Sequence, residues 1–463
     1  MAVKKKPDIA FCQVNPLSAE LDTAESDPLW ADGDISLSGQ QPARSYRPTQ
    51  PMEAGATKMS VIAPEKDTGF PEFVALMALL MSLVALTIDT MLPALVTIGT
   101  ELGVSDPNHN QYIISVFFFG LALGQLLYGP LSDSIGRKPS VYIGVAIFML
   151  GCVMSLTADS FSMMLFGRLL QGFGAASPRI ISIALIRDRY EGRRMAQVMS
   201  YAMALFILVP VIAPALGQVI ISLFHWRAIF VLFLLLSCSA ALWLGIRQPE
   251  TLPAAQRIPL TAARVLRAIA EVFAIRSTLG YALTGGFVAG LFLAFLSTSP
   301  QILQVQYGLG GQFPLFFAII ALSIGLASLL NGRLVMRLGM QLLSRWALWA
   351  LLGGTLMYSV PAYLYAGQPP LWSLMSYLQV ALFCVGILFG NLNALAMQPL
   401  GHLAGVGAAV VGSLGTLTSL PLGILIGHYY DGTVLPLLAG IGGCALAAIV
   451  VFTWTERTAR STY

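Results

Sequence analysis

The sequence predicts an all-α membrane protein with twelve transmembrane helices arranged as two pseudo-symmetric six-helix bundles. The 463-residue chain is 56% hydrophobic and only 10% charged, which is too apolar for a soluble domain of this size. From Pro71 onward it contains about twelve apolar runs, each close to the roughly 20 residues that a helical crossing requires. These runs are too long and continuous to be strands of a membrane barrel, the other structure that satisfies its backbone in lipid.

The apolar runs fall into two sets of six, separated by a more polar, arginine-bearing stretch. The predicted spans are 72–98, 108–130, 138–158, 161–186, 195–222 and 226–246 in the first set, and 278–299, 313–337, 343–366, 371–397, 403–428 and 433–454 in the second. The predicted domains are a first bundle at 71–247, a cytoplasmic linker at 248–277, a second bundle at 278–456 and a cytoplasmic tail at 457–463.

The first 70 residues differ from the rest of the chain, since they are rich in Ser, Pro, Asp and Gln and poor in large apolar residues. This composition predicts a disordered cytoplasmic tail at 1–70. Because Met52 and Met59 closely precede the first span, translation that starts at one of them is an alternative explanation of the tail.

Lysine and arginine residues indicate how the chain is oriented in the membrane. The predicted loops on one side carry nearly all of them, including Arg137, Lys138 and Arg247, whereas the loops on the other side carry only Arg227. By the positive-inside rule, both termini and the linker are predicted to be cytoplasmic. The net charge of +4 follows from this topology and gives no reason to expect nucleic-acid binding.

The two halves show signs of an ancient duplication. The second span ends in GPLSDSIG at 129–136, and the eighth ends in GRLVMRLG at 332–339. Both segments carry Gly, Leu and a final Gly in register, at the same place in each set of six spans. The match supports two related bundles, as in transporters built from repeats.

One carboxylate lies well inside the predicted spans. Asp89 is part of ALTIDTMLPAL, and a charge at the bilayer centre costs roughly 2.5–3.5 kcal/mol on insertion scales. Pro93, four residues later, has no N–H, so the carbonyl of residue 89 loses its helical partner. A helix broken at mid-depth is a recurring feature of transporter sites. The alternative is a structural aspartate that pairs with Arg168 or stabilises the proline kink.

The well-embedded cations, Arg168 and Arg179, both lie in the fourth predicted span. At 1.5 Å per residue, Asp89 and Arg168 are about 13 Å and about 10 Å below the same membrane face, so we expect them to share one cavity and to influence each other. Desolvation and a nearby arginine act in opposite directions on the proton affinity of a carboxyl group. A conformational change that alters their balance would load or release a proton, so Asp89 and Arg168 are the predicted proton-coupling residues.

Several motifs resemble those of the major facilitator superfamily. GPLSDSIGRKP at 129–139 resembles the signature loop between helices 2 and 3, and RLLQGFGAA at 168–176 resembles the helix-4 motif. TIDTMLPAL, HWRAIF and PET at 249–251 are similar to the drug:proton antiporter group, and the segment 391–414 is most similar to the Bcr/CflA multidrug branch. The resemblance covers about residues 71–455 and implies the major facilitator fold and a bacterial inner-membrane location.

The resemblance also implies a cytoplasmic gate at the signature loop. The implied gate residues are Gly129, Asp133, Gly136, Arg137, Lys138 and Asp188. The two glycines would form tight turns between the helices. Asp133 would interact with the N-terminus of a helix in the other bundle, and Arg137 would pair with Asp188. The alternative is that Arg137 and Lys138 only enforce the topology.

The fifth predicted span contains VPVIAPALGQVI, which resembles the antiporter motif of drug exporters. Pro210 and Pro214 would kink the helix, and Gly217 would permit close packing. The chain departs from the motif in two places, since Ala213 precedes the second proline where the motif has Gly, and Gln218 replaces a final Gly.

Polar residues within the spans are candidates for contacts with a substrate. They are Gln125, Gln171, Asn391 and Asn393. Since Asn391 and Asn393 are two residues apart, they cannot share one helix face, and at most one of them would line the cavity.

Together these features predict a proton-coupled antiporter that exports small hydrophobic compounds, with protons as the coupling ion and no cofactor or metal. The predicted partners are a small-molecule substrate and the lipid bilayer, and the predicted state is a monomer. A proton-coupled transporter of a metabolite such as a sugar or siderophore is one alternative, and a channel is another. An enzyme would require acidic, His or Cys side chains clustered at one depth, and the sequence suggests no such cluster.

Overall fold

The computed structural model describes residues 69–460. In this range, twelve helices are long and apolar enough to cross a membrane, as predicted. They are α1 (Phe70–Glu101), α2 (Pro107–Ile135), α3 (Arg137–Leu156), α4 (Phe161–Arg189), α5 (Gly192–Leu223), α6 (Arg227–Arg247), α7 (Arg276–Gln306), α8 (Gly310–Leu338), α9 (Met340–Leu364), α10 (Leu371–Leu400), α11 (Val406–His428) and α12 (Leu435–Arg457). The described residues do not include positions 1–68, where nearly all of the predicted tail lies, or positions 461–463.

The linker between α6 and α7 contains a helix that was not predicted from the sequence. This linker helix, Ala262–Ala274, is strongly amphipathic and packs against α7 and α11. Its residue Val272 is fully buried, whereas Leu266 is 64% exposed. The arginines of this stretch are typical of a polar connection, although apolar residues recur at helical spacing between them.

Glycines allow the helices of the first bundle to approach closely. A Cβ added at Gly172 of α4 would overlap the carbonyl oxygen of Phe117 in α2, and one added at Gly120 of α2 would overlap that of Leu169 in α4. Backbone therefore packs directly on backbone at this crossing, as small residues four apart predict for a membrane bundle.

The two bundles meet along a seam between α2 and α11. We call the end of the molecule that holds the α2–α3 turn the gate face, and the other end the opposite face. At mid-seam, Ser413 Oγ of α11 donates to the carbonyl of Ala122 in α2 at 2.9 Å. Nearer the gate face, a Cβ on Gly129 would lie 3.5 Å from that of Ala409, which is ordinary van der Waals contact.

At the opposite face, neutral hydrogen bonds join the two bundles. Asn108 Nδ2 of α2 donates to the carbonyls of His428 and Tyr430, at 3.1 and 2.8 Å. Gln301 Nε2 of α7 donates to the carbonyl of Pro107 at 3.0 Å and to Asn108 Oδ1 at 3.1 Å. The seam is therefore in contact from one face to the other.

Candidate functional site

Asp89 ends the first α-helical segment of α1, as the proline after it predicts. The segment Phe70–Asp89 gives way to a 3-10 turn at Leu92–Ala94, and the α-helix resumes at Leu95–Glu101. Asp89 is only 5% exposed. Among residues 69–460, no hydrogen bond or ion pair joins its carboxylate to another side chain. The buried acid therefore sits at the break without an ionic or hydrogen-bonding side-chain partner among these residues.

The side chain of Arg168 contacts the same break in α1, but it binds a backbone carbonyl there. Met91 N bonds to the carbonyl of Ile88 rather than to that of Thr87, so the Thr87 carbonyl lacks its helical partner. The Arg168 guanidinium approaches this carbonyl at 3.4 Å through both Nη atoms, and its Nε donates to the Ile113 carbonyl at 3.1 Å. Arg168 thereby holds the interrupted turn of α1 against α2.

Among the described residues, Asp89 and Arg168 form no ion pair, which was the structural alternative for Asp89. Arg168 is fully buried, its Nη1 donates to Gln171 Oε1 at 2.7 Å, and its guanidinium lies 4.6 Å from the centre of the Phe117 ring. These neighbours account for its donors without a carboxylate. The estimate from depth placed the two residues in the same layer correctly, but depth does not specify which group the guanidinium faces.

Gly217 of α5 packs on α1 immediately after Asp89. A Cβ at this glycine would overlap the carbonyl oxygen of Thr90. Thr90 is itself fully buried, and its hydroxyl has no hydrogen-bond partner in the described part of the chain. The close packing expected of Gly217 is present, and it fixes α5 against the residue next to the buried acid. Helix α5 runs through Pro210 and Pro214 without interruption.

Replacing Gly217 by Ala is expected to force α1 and α5 apart, because the overlapping atom is backbone and cannot rotate away. Overpacking of this kind costs about 1–3 kcal/mol, which should lower the melting temperature of the purified protein. Gly353→Ala is the matched control, since no atom lies within 4 Å of a Cβ at that helical glycine. Equal melting temperatures for the two variants would contradict the contact.

The gate face carries a charged cluster centred on Arg137, the first residue of α3. Arg137 Nε donates to Asp188 Oδ2 at 3.0 Å, so the predicted pair is present. Nη1 of the same guanidinium donates to Asp133 Oδ1 at 2.6 Å and to Ser132 Oγ at 2.8 Å. Lys138 Nζ donates to the carbonyl of Gly245 at 3.2 Å and so ties α3 to the end of α6. Charge-assisted bonds of this kind are stronger than neutral ones.

Two gate residues have neighbours that the motif resemblance did not imply. Gly129 lies inside α2 and packs toward α11, whereas Gly136, with φ of 108°, forms the turn. Asp133 Oδ1 accepts from the Arg137 guanidinium, four residues later. Val406, at the start of α11, nevertheless borders the same small cavity as Asp133.

Glu250, which lies just beyond α6, had no role predicted from the sequence. Its two carboxylate oxygens accept from the backbone N–H groups of Arg137 and Lys138, each at 2.9 Å. The PET segment that contains it resembles the drug:proton antiporter group, and this resemblance implied no contact for Glu250. The missing capping side chain at Gly136 is the signal that would have suggested a partner from elsewhere in the chain.

The four predicted substrate contacts divide into different environments. Gln171 is fully buried and donates to Ser155 Oγ and the Gly151 carbonyl, so it joins α4 to α3 and does not line a cavity. Asn391 exchanges two hydrogen bonds with Asn331 of α8, at 2.9 and 3.0 Å.

The other two predicted substrate contacts, Asn393 and Gln125, remain available to bind a ligand. Asn393 is exposed on another face of α10, as its spacing from Asn391 requires. Gln125 lies in the seam facing Gly412 of α11, and its Oε1 is buried without a hydrogen-bond partner in the described part of the chain. An unpaired buried acceptor is costly, which keeps Gln125 a candidate for binding a ligand.

Comparisons with known proteins agree with this architecture. The sequence family described as Major Facilitator Superfamily matches residues 77–420. A bicyclomycin resistance protein homolog of Haemophilus influenzae is 30% identical over 394 residues, which cover 84% of this chain and 97% of that protein. Multidrug resistance protein D of Escherichia coli is 27% identical over 332 residues, covering 71% and 81%.

A solved structure shows the same fold at lower sequence similarity. The crystal structure of a D-xylose–proton symporter has a TM-score of 0.65 and 13% identity, and the match covers 83% of this chain and 97% of that one. The family match spans well over half of the chain, and the broken α1 and the Gly136 turn lie where the sequence motifs placed them. The chain belongs to the Major Facilitator Superfamily.

Proposed function

We propose that this chain exports small, fairly hydrophobic compounds in exchange for protons. The observation that carries the proposal is Asp89, a buried carboxylate at a helix break with no ionic partner among residues 69–460. Such a group can exchange a proton without any cofactor, and its charge then changes inside the protein. The names of the relatives, which refer to bicyclomycin and multidrug resistance, support the class of compound.

In the proposed cycle, the two bundles rock about a central site that opens to one side at a time. The compound enters from the cytoplasm when Asp89 has released its proton. After the bundles have opened outward, protonation of Asp89 disfavours the compound and favours the return. The Arg137 cluster and the first turn of α11 act as the gate on the cytoplasmic side.

The proposed orientation follows from the distribution of Lys and Arg. The gate face carries the Arg137 cluster and the linker, and by the positive-inside rule it faces the cytoplasm together with both termini. The bacterial relatives support the inner membrane as the location. The functional unit in this proposal is a monomer that uses only protons for coupling.

Reconstitution into liposomes with an imposed pH gradient tests the proposal. Bicyclomycin and chemically diverse antibiotics are offered one at a time. We expect saturable movement of at least one compound in the direction opposite to proton flow, with matching alkalinisation or acidification reported by a trapped pH dye. Movement of compound and protons in the same direction would instead support an importer, and flux without saturation would support a channel.

A further inference from the structure

The N-terminus of α3 is capped by a residue more than a hundred positions away. Gly136 occupies the N-cap position and has no side chain to accept from the first N–H groups of the helix. Glu250 supplies both acceptors, one oxygen for Arg137 N and the other for Lys138 N. A carboxylate is favoured there, because the N-terminus of a helix carries partial positive charge.

The residues beside Glu250 complete the attachment. Glu250 Oε1 also accepts from the N–H of Leu252 at 3.0 Å, which folds the beginning of the linker around the carboxylate. Thr251 Oγ1 donates to Asp188 Oδ2 at 2.8 Å, the oxygen that also accepts from Arg137. The linker therefore binds the Arg137 cluster at two points: the backbone N–H of Arg137 and the carboxylate of Asp188, which pairs with the Arg137 side chain.

Further along, the linker lies between the two bundles at the gate face. Ile258 N donates to the backbone carbonyl of Asp133 at 2.9 Å. Ile258 and Val265 border a small cavity together with Asp133 of α2 and Val406 of α11. The same segment thus touches the end of α2 in one bundle and the start of α11 in the other.

We propose that Glu250 is a positioning residue of the gate. Its carboxylate fixes the linker to the first turn of α3, and the linker then holds Asp133 against the start of α11 when the gate face is closed. Among the described residues, Glu250 has no contact with Asp89 or Arg168, so its loss should impair closure and leave the affinity for the transported compound unchanged.

The kinetic test compares Glu250→Gln with the wild type in liposomes. Glutamine keeps one acceptor oxygen and can serve only one of the two N–H groups. Loss of a charge-assisted bond predicts about tenfold lower kcat, with KM within about twofold of wild type. The matched control is Glu191→Gln, an exposed acid without a side-chain capping bond. An unchanged kcat, or a KM that rises in proportion as kcat falls, would overturn the assignment.

A second measurement needs no transported compound. In a background without the native cysteines, Pro130→Cys of α2 and Val406→Cys of α11, which border the same small cavity, are joined by a short bis-maleimide, which reports closure of the gate face. Glu250→Gln should lower the rate of cross-linking about tenfold, while Glu191→Gln should leave it unchanged. This readout stands even if the proposed drug export is wrong. Equal cross-linking rates in all three proteins would refute the role of Glu250.

Discussion

Replacing Asp89 by Asn is expected to abolish proton-coupled transport while leaving the protein folded. Asparagine has nearly the same shape as aspartate but cannot exchange a proton. No ionic partner is lost within the described structure, because the carboxylate has none there. A neutral amide also costs less to bury than a charge. The melting temperature should therefore stay at or above that of the wild type, and pH-driven exchange in liposomes should disappear.

Asp159→Asn provides the control for this result. Asp159 is exposed in the loop between α3 and α4 at the opposite face, and the substitution removes the same charge. We expect its exchange rate to equal that of the wild type. Binding of compound to Asp89→Asn, measured without a gradient, should persist. Exchange by Asp89→Asn at the wild-type rate would show that the coupling proton is carried elsewhere.

Replacing Arg168 by Ala is expected to cause the largest loss of stability. The Thr87 carbonyl, which lacks its helical partner, would lose its guanidinium donor inside the protein, at about 1–3 kcal/mol for an unsatisfied group, and the Ile113 carbonyl would lose one of its donors. The contact with the Phe117 ring would be lost as well. Thermal unfolding of the purified protein measures the effect. Arg276→Ala removes an exposed arginine and should unfold like the wild type.

A double-mutant cycle distinguishes backbone bracing from an ion pair. If Arg168 acts on α1 through the Thr87 carbonyl, the stability changes of Asp89→Asn and Arg168→Ala should add to within about 0.5 kcal/mol, as they do for sites that do not interact. If the two side chains form an ion pair, Arg168→Ala should be markedly less harmful in the Asp89→Asn background. A strong positive coupling energy would support an ion pair between Asp89 and Arg168.

The twelve spans and the broken α1 were predictable because they follow from local properties of the sequence. Apolar length determines a membrane crossing, and the missing N–H of Pro93 determines where the helix cannot continue. The Arg137–Asp188 contact came from a motif resemblance and is present in the structure. Local pattern was thus sufficient for the helices and for one of the contacts between them.

The partners of the buried polar groups were less predictable, because they depend on side-chain direction and on distant parts of the chain. Arg168 faces a backbone carbonyl and not Asp89, and Gln171 serves the α3–α4 interface instead of a cavity. Glu250 reaches a helix that lies 112 residues away in sequence. The depth of a residue follows from counting positions along its helix, but the direction in which its side chain points around the helix axis does not.

The hydrogen bonds of Asn108 and Gln301 indicate how much free energy opening of the opposite face requires. Each neutral bond contributes about 0.5–1.5 kcal/mol, so the four together amount to a few kcal/mol. One proton that enters down a tenfold concentration ratio releases about 1.4 kcal/mol, and 100 mV of membrane potential adds about 2.3 kcal/mol. In the proposed exchange, the free energy released by one proton is therefore similar to that of these hydrogen bonds. Because these bonds join uncharged groups, ionic strength should leave the opening step unchanged.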